Sequence, residues 1–129
     1  MGMSQRVVIA MMLLVGSGVL QAQCVPGSNY HCVGVSGLAY VPNVLTVIEG
    51  DTVEFEASSF HPLRQVINPF PSTTPVAGGL SCEGASCIQV MEATQMPAFH
   101  FICTNHIQAV MRGDITILPR VIFVGGFED

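Results

Sequence analysis

Beyond residue 22 the chain is a series of short apolar runs, each ended within a few residues by glycine, proline, asparagine or aspartate. The segment 52–57 shows the pattern most clearly, since Val53, Phe55 and Ala57 fall on one face of an extended chain and polar residues fall on the other. The sequence after residue 22 contains no long segment of helical period. This pattern is typical of an all-β domain made of short strands.

About seven strands are predicted in this region, and they lie at residues 44–48, 52–57, 63–68, 88–92, 97–103, 115–118 and 121–124. Residues 68–87 are rich in proline and glycine and are predicted to form a long loop. Seven short strands within residues 23–129 favour a Greek-key β-sandwich.

The first 22 residues have the order of a secretory signal peptide. Arg6 is followed by a run without charged residues at 7–20, and the segment ends on the small residue Ala22. The run is shorter than the roughly 20 apolar residues that a membrane span needs. Cleavage after Ala22 would leave residues 23–129 as one domain, located in the periplasm or secreted, with no membrane insertion.

The segment 23–129 holds three arginines, no lysine and nine acidic residues, which gives a net charge of −6. Nucleic-acid binding needs clustered basic residues, so this composition argues against it.

Five cysteines follow Ala22 in a chain expected to be exported, so disulfide pairing is expected and one thiol is left over. Cys103 is the natural unpaired thiol, because it belongs to the candidate metal-binding motif described in the next paragraph, and a metal-bound thiolate cannot form a disulfide. The other four cysteines allow three connectivities. We favour Cys24–Cys32 with Cys82–Cys87, and a crossed pairing of these two pairs stays open.

Cys103, His106 and Met111 form a C-x2-H-x4-M motif, and His61 ends an earlier segment. Cys103 shares a strand face with Phe99 and Phe101, so we expect its sulfur to point into the core. A thiolate, two imidazoles and a thioether form the ligand set of a blue-copper site. Zinc fits less well, because it rarely takes a methionine and prefers cysteine, histidine or carboxylate ligands.

An ordered set of motifs over residues 38–118 resembles the plastocyanin/azurin group of cupredoxins. The set comprises Tyr40-Val41-Pro42, Gly50-Asp51-Thr52-Val53, His61-Pro62-Leu63, Phe99-x-Phe101-Ile102-Cys103, His106 and Met111. The resemblance implies one type 1 copper ion, with His61, Cys103 and His106 in a trigonal plane and Met111 as the weak axial ligand.

By the same resemblance we expect a monomeric electron carrier that is not an enzyme. Its redox partners would dock at an apolar patch around His106, formed by Ile107, Ala109 and Val110 and extended by Pro62 and Leu63. The alternative is a protein that binds or delivers copper without transferring electrons.

A copper enzyme needs a second site with several histidines, and after His61 and His106 only His31 and His100 remain. We expect His100 to have a structural or solvent-facing role, since it lies on the opposite strand face from Cys103, and we expect His31 to lie in a loop.

Overall fold

A computed structural model describes residues 23–95, 97–106 and 111–121 of the chain. The predicted signal peptide at 1–22, most of the predicted strand at 121–124, and residues Ile107, Ala109 and Val110 of the predicted docking patch lie outside the described residues. In the described part of the chain, no helix is long and apolar enough to span a membrane.

The described residues form nine strands and one short 3-10 helix, Ala93–Gln95. The strands are β1 (Tyr30–Ser36), β2 (Ala39–Val41), β3 (Val44–Ile48), β4 (Thr52–Phe55), β5 (Leu63–Val66), β6 (Ser81–Cys82), β7 (Cys87–Val90), β8 (Ala98–Cys103) and β9 (Arg112–Leu118). They form a sheet of order β2-β1-β4-β7 and a second of order β3-β9-β8-β5-β6. Each sheet is mixed, because β1 pairs with β4 and β3 with β9 in parallel while the other pairs are antiparallel.

Aromatic side chains fill the space between the two sheets. Phe55 of β4 stacks on Phe99 of β8 with ring centroids 5.8 Å apart, and it meets Phe101 edge-on at 5.1 Å. All three phenylalanines are buried. Gly113 lies opposite Phe101 in the β8–β9 register, and a Cβ at this position would overlap the Phe101 ring. The predicted two-sheet β-sandwich is therefore confirmed.

The predicted strands that lie within the described residues are all present, although their ends differ in most cases. The structure reproduces the predicted strand 44–48 residue for residue, and Phe99, Phe101 and Cys103 all point into the core as predicted. The predicted strands 52–57 and 63–68 end earlier, at Phe55 and Val66.

Three strands, β1, β2 and β6, were not predicted from the sequence. The segment of β1 mixes His31, Cys32 and Gly34 with β-branched residues, and β2 and β6 are three and two residues long, so none gives a clear alternating pattern. The predicted loop 68–87 contains β6 as well as the first residue of β7.

Two disulfides join Cys24 to Cys32 and Cys82 to Cys87, with Cα–Cα distances of 5.8 and 6.1 Å. Cys103 is a free, buried thiol. The favoured connectivity is confirmed and the crossed pairing is wrong.

Candidate metal centre

Strand pairing brings the His61 segment to Cys103. Leu63, the first residue of β5, pairs with Cys103, the last residue of β8. His61 precedes Leu63 by two residues, so its side chain comes from the loop that leads into β5. His106 follows Cys103 by three residues, and its N–H donates to the Cys103 carbonyl at 3.3 Å. The last residue of β8, the segment that follows it and the loop that leads into β5 thus supply the three side chains.

The donor atoms of these three residues face one another. The Cys103 sulfur lies 3.4 Å from Nδ1 of His106 and 3.9 Å from Nδ1 of His61. The two imidazole rings are 4.9 Å apart between centroids and inclined at 44°. One donor atom from each of the three residues fits within a mutual distance of 4.8 Å. A single ion placed among them could therefore contact one sulfur and two nitrogens.

Met111, the fourth predicted ligand, lies beside Cys103. Its carbonyl accepts the Cys103 N–H at 2.9 Å, and its side chain is 1% exposed in the same buried cluster as Cys103. A buried thioether is available at this end of the sandwich. That the Met111 sulfur binds the metal stays a prediction.

The two segments that carry the histidines are hydrogen-bonded to each other and within themselves. The Thr104 N–H donates to the Pro62 carbonyl at 3.0 Å. The His61 N–H donates to Ser58, whose hydroxyl oxygen lies 3.2 Å away. Ser58 was not predicted from the sequence, because a hydrogen bond between a side-chain hydroxyl and a nearby backbone N–H leaves no distinctive pattern there.

Tyr40 contributes an unusual polar group to the core near this site. Its ring meets Phe101 edge-on at 4.9 Å and is 2% exposed. Burial raises the pKa of Tyr40 far above its ordinary value, and the negative charge of a Cys103 thiolate raises it further. Among the described residues the Tyr40 hydroxyl finds no hydrogen-bond partner.

The remaining two histidines are bonded to carboxylates. His31 Nε2 lies 2.8 Å from Asp51 Oδ2, and His100 Nδ1 lies 2.7 Å from Asp114 Oδ1. The structural role predicted for His100 is confirmed. The prediction for His31 is wrong, because this residue lies in β1 and pairs with a buried aspartate rather than lying in a loop.

A second group of possible metal-binding side chains comprises Cys24, Cys32 and Glu54. Its two cysteines are joined in a disulfide, so neither offers a thiolate. The His61–Cys103–His106 group is therefore the better candidate within residues 23–95, 97–106 and 111–121.

The side chains of this group fit copper better than other common metals. One thiolate and two imidazoles, with a buried thioether beside them, form a soft donor set with no carboxylate. Ca²⁺ and Mg²⁺ prefer oxygen ligands, and structural zinc sites usually have four cysteine or histidine ligands.

The backbone resembles that of solved proteins. A pseudoazurin from Methylobacterium extorquens AM1 matches with a TM-score of 0.52 and 14% identity, over 68% of this chain and 74% of its own. A pseudoazurin from Sinorhizobium matches with a TM-score of 0.50 and 20% identity, over 69% and 73%. The chain has the cupredoxin fold.

At these identities the likeness establishes the fold alone. No family model matches the sequence. No curated protein matches it either.

Proposed function

We propose that the protein is an exported blue copper protein that carries single electrons between redox partners. The observation that carries this proposal is the convergence of His61, Cys103 and His106 on one point at the end of a cupredoxin sandwich. Bound there, copper would supply a one-electron Cu(II)/Cu(I) couple. The three side chains would bind the ion, and the Met111 thioether would be a fourth, weaker ligand.

The scaffold suits an ion that changes charge without a large rearrangement. Cys103 is fully buried on β8 and Met111 is nearly so, so both are held by core packing. The His61 loop is closed on itself by the bond between His61 and Ser58, and it is attached to the segment after Cys103 through the Pro62 carbonyl. Ligands held in this way keep their positions when the ion gains or loses an electron.

Electrons would enter and leave at the histidine end of the sandwich. His61 and His106 are half-buried, and the neighbouring Phe60 is 77% exposed. We propose that Phe60 and Pro62 belong to the apolar surface on which a redox partner docks. Leu63 is 1% exposed, so the predicted extension of the patch through Leu63 is wrong. Transient redox complexes typically have small interfaces of this kind.

Export is supported by two features. The first 22 residues have the order of a signal peptide. The two disulfides are of the kind that persists in an oxidising compartment. We therefore place the protein in the periplasm or outside the cell.

The proposal is tested by adding Cu(II) to the purified chain beginning at Gln23, recording the visible spectrum, and measuring reversible reduction by voltammetry. We expect an intense thiolate-to-copper band that a one-electron reductant bleaches and an oxidant restores. Cys103→Ser is the control, since it replaces the soft thiolate sulfur with a smaller hydroxyl oxygen, and it should lack the band. A colourless copper-loaded protein would refute the blue copper site. Tight Cu(I) binding without reversible redox would favour the delivery alternative.

A further inference from the structure

One side chain connects the two loops that carry the site histidines. The Asn105 amide nitrogen donates to the carbonyl of Ser59 at 3.3 Å and to the carbonyl of Phe60 at 3.4 Å. Asn105 lies between Cys103 and His106, while Ser59 and Phe60 directly precede His61. An asparagine amide has two N–H donors, so a single side chain can serve both carbonyls.

These bonds complete an attachment on both sides of His61. The Pro62 carbonyl, which follows His61, already accepts the Thr104 N–H at 3.0 Å. With the Asn105 bonds, the backbone before and after His61 is fixed to the segment that follows Cys103. Backbone bonds between Ser58 and His61 close this turn on itself. Losing the Asn105 bonds would leave the Pro62 carbonyl to join the turn to the segment after Cys103, so the turn could pivot there and move the imidazole with it.

We infer that Asn105 is a positioning residue that holds the His61 imidazole at its place beside the Cys103 sulfur. For its copper readouts this inference rests on the proposed function. The Asn105 side chain is exposed, so its loss changes the geometry of the site far more than the stability of the fold. Groups that orient metal ligands typically change metal affinity by about 10- to 100-fold, and for an exposed group we expect the lower end of this range.

Three variants test whether the side-chain amide of Asn105 positions the His61 imidazole. Asn105→Ala removes both side-chain donors but keeps the backbone N–H of residue 105. Asn105→Gln keeps the amide on a longer side chain. Asn68→Ala is the matched control, because Asn68 is an exposed asparagine beyond the far end of β5 from His61.

For each variant we would measure Cu(II) affinity, the visible spectrum, the melting temperature of the copper-free protein, and hydrogen exchange of the His61 N–H in that copper-free protein. We expect Asn105→Ala to lose about tenfold in affinity, to shift the visible bands and to exchange the His61 N–H several-fold faster, at an unchanged melting temperature. Asn105→Gln should lie between Asn105→Ala and the wild type, and Asn68→Ala should match the wild type.

An Asn105→Ala protein with the affinity, spectrum and His61 exchange rate of the wild type would overturn the inference, even if the wild type is blue. An Asn105→Gln protein equal to Asn105→Ala would also overturn it, because the amide donors would then be irrelevant. A wild type that binds no copper would refute the proposed function instead, and the His61 exchange rates of the copper-free proteins would still decide the role of Asn105.

Discussion

Histidines at the two ends of the sandwich have different partners. His31 lies near the beginning of β4 and is bonded to Asp51, whose side chain is 5% exposed. His61, in the loop after β4, and His106 instead turn Nδ1 toward the sulfur of Cys103. A carboxylate partner keeps an imidazole in place as part of the fold. An imidazole that faces a free buried thiol is available to a metal.

This difference separates the candidate metal ligands from the other two histidines better than exposure does, since His31, His61, His100 and His106 are all half-buried. In the described part of the chain, the histidines within ion-pair distance of an acid are His31 and His100, each bonded to a different aspartate. The comparison therefore predicts that substitutions at the two kinds of histidine have separable effects, one on copper and one on stability.

The largest expected effect is on copper binding. His106→Ala removes one of the two imidazoles, and we expect Cu(II) affinity to fall by more than about 100-fold, since even groups that only orient ligands change affinity by about 10- to 100-fold. His100→Ala is the matched control and should leave the affinity unchanged, because His100 is bonded to Asp114 instead of facing Cys103. Isothermal titration with a competing chelator measures both. Equal losses in the two variants would contradict the distinction between the histidines.

The second prediction concerns the hydrogen bonds of the buried Asp51 carboxylate. Asp51 accepts hydrogen bonds from His31 and from the Ile48 N–H at 3.1 Å. Asp51→Asn should lower the free energy of unfolding of the copper-free protein by about 2 kcal/mol, because bonds to a buried charged group contribute about 1.5–3 kcal/mol.

Asp114→Asn is the control for this effect. The Asp114 side chain is 38% exposed, so its substitution should cost less than about 1 kcal/mol. Urea unfolding measures the free energy of unfolding of both variants. An equal loss in the two would show that burial of Asp51 does not increase the contribution of its hydrogen bonds to stability.

The Asp51 pair also predicts how stability depends on pH. Burial alone would raise the pKa of Asp51. Two effects outweigh burial and lower this pKa below its ordinary value: the hydrogen bonds from His31 and from the Ile48 N–H, and the positive charges of His31 and Arg120. A carboxyl with a lowered folded-state pKa stabilises the fold above its unfolded pKa of about 3.9, and this contribution is lost as the pH falls through the folded-state value. The stability difference between wild type and Asp51→Asn should therefore shrink below about pH 4. A difference as large at pH 2 as at pH 5 would contradict this account.

The smallest expected effect on stability is at Tyr40. Its buried hydroxyl, near the candidate metal centre, has no hydrogen-bond partner within the described residues. Tyr40→Phe removes a group that is desolvated without compensation, so the variant should be as stable as the wild type or more stable by up to about 1 kcal/mol. Urea unfolding of the copper-free protein measures it. A loss of 2 kcal/mol or more would show that the hydroxyl has a partner after all.

The sequence predicted most of the features that depend on periodicity and on side-chain chemistry. The alternation of Phe99, Phe101 and Cys103 placed the thiol in the core, and the C-x2-H-x4-M spacing placed His106 beside it. The approach of His61 to Cys103 was implied by the family resemblance, and the β5–β8 register provides it.

Features that depend on tertiary partners were not predicted. The strand β1 became recognisable only through its parallel pairing with β4, which also brings His31 to Asp51. The Asn105 bonds join residues more than 40 positions apart in the sequence, through carbonyls that every residue possesses. Local pattern carries no information about such contacts.

The central claim is that one copper ion binds through the sulfur of Cys103 and the imidazoles of His61 and His106. A crystal structure of the copper-loaded protein tests this claim most directly. We predict a single copper ion contacting that sulfur and both Nδ1 atoms, with His31 and His100 still bonded to their aspartates. Copper bound at His31 or His100, with Cys103 left as a free thiol, would contradict the account.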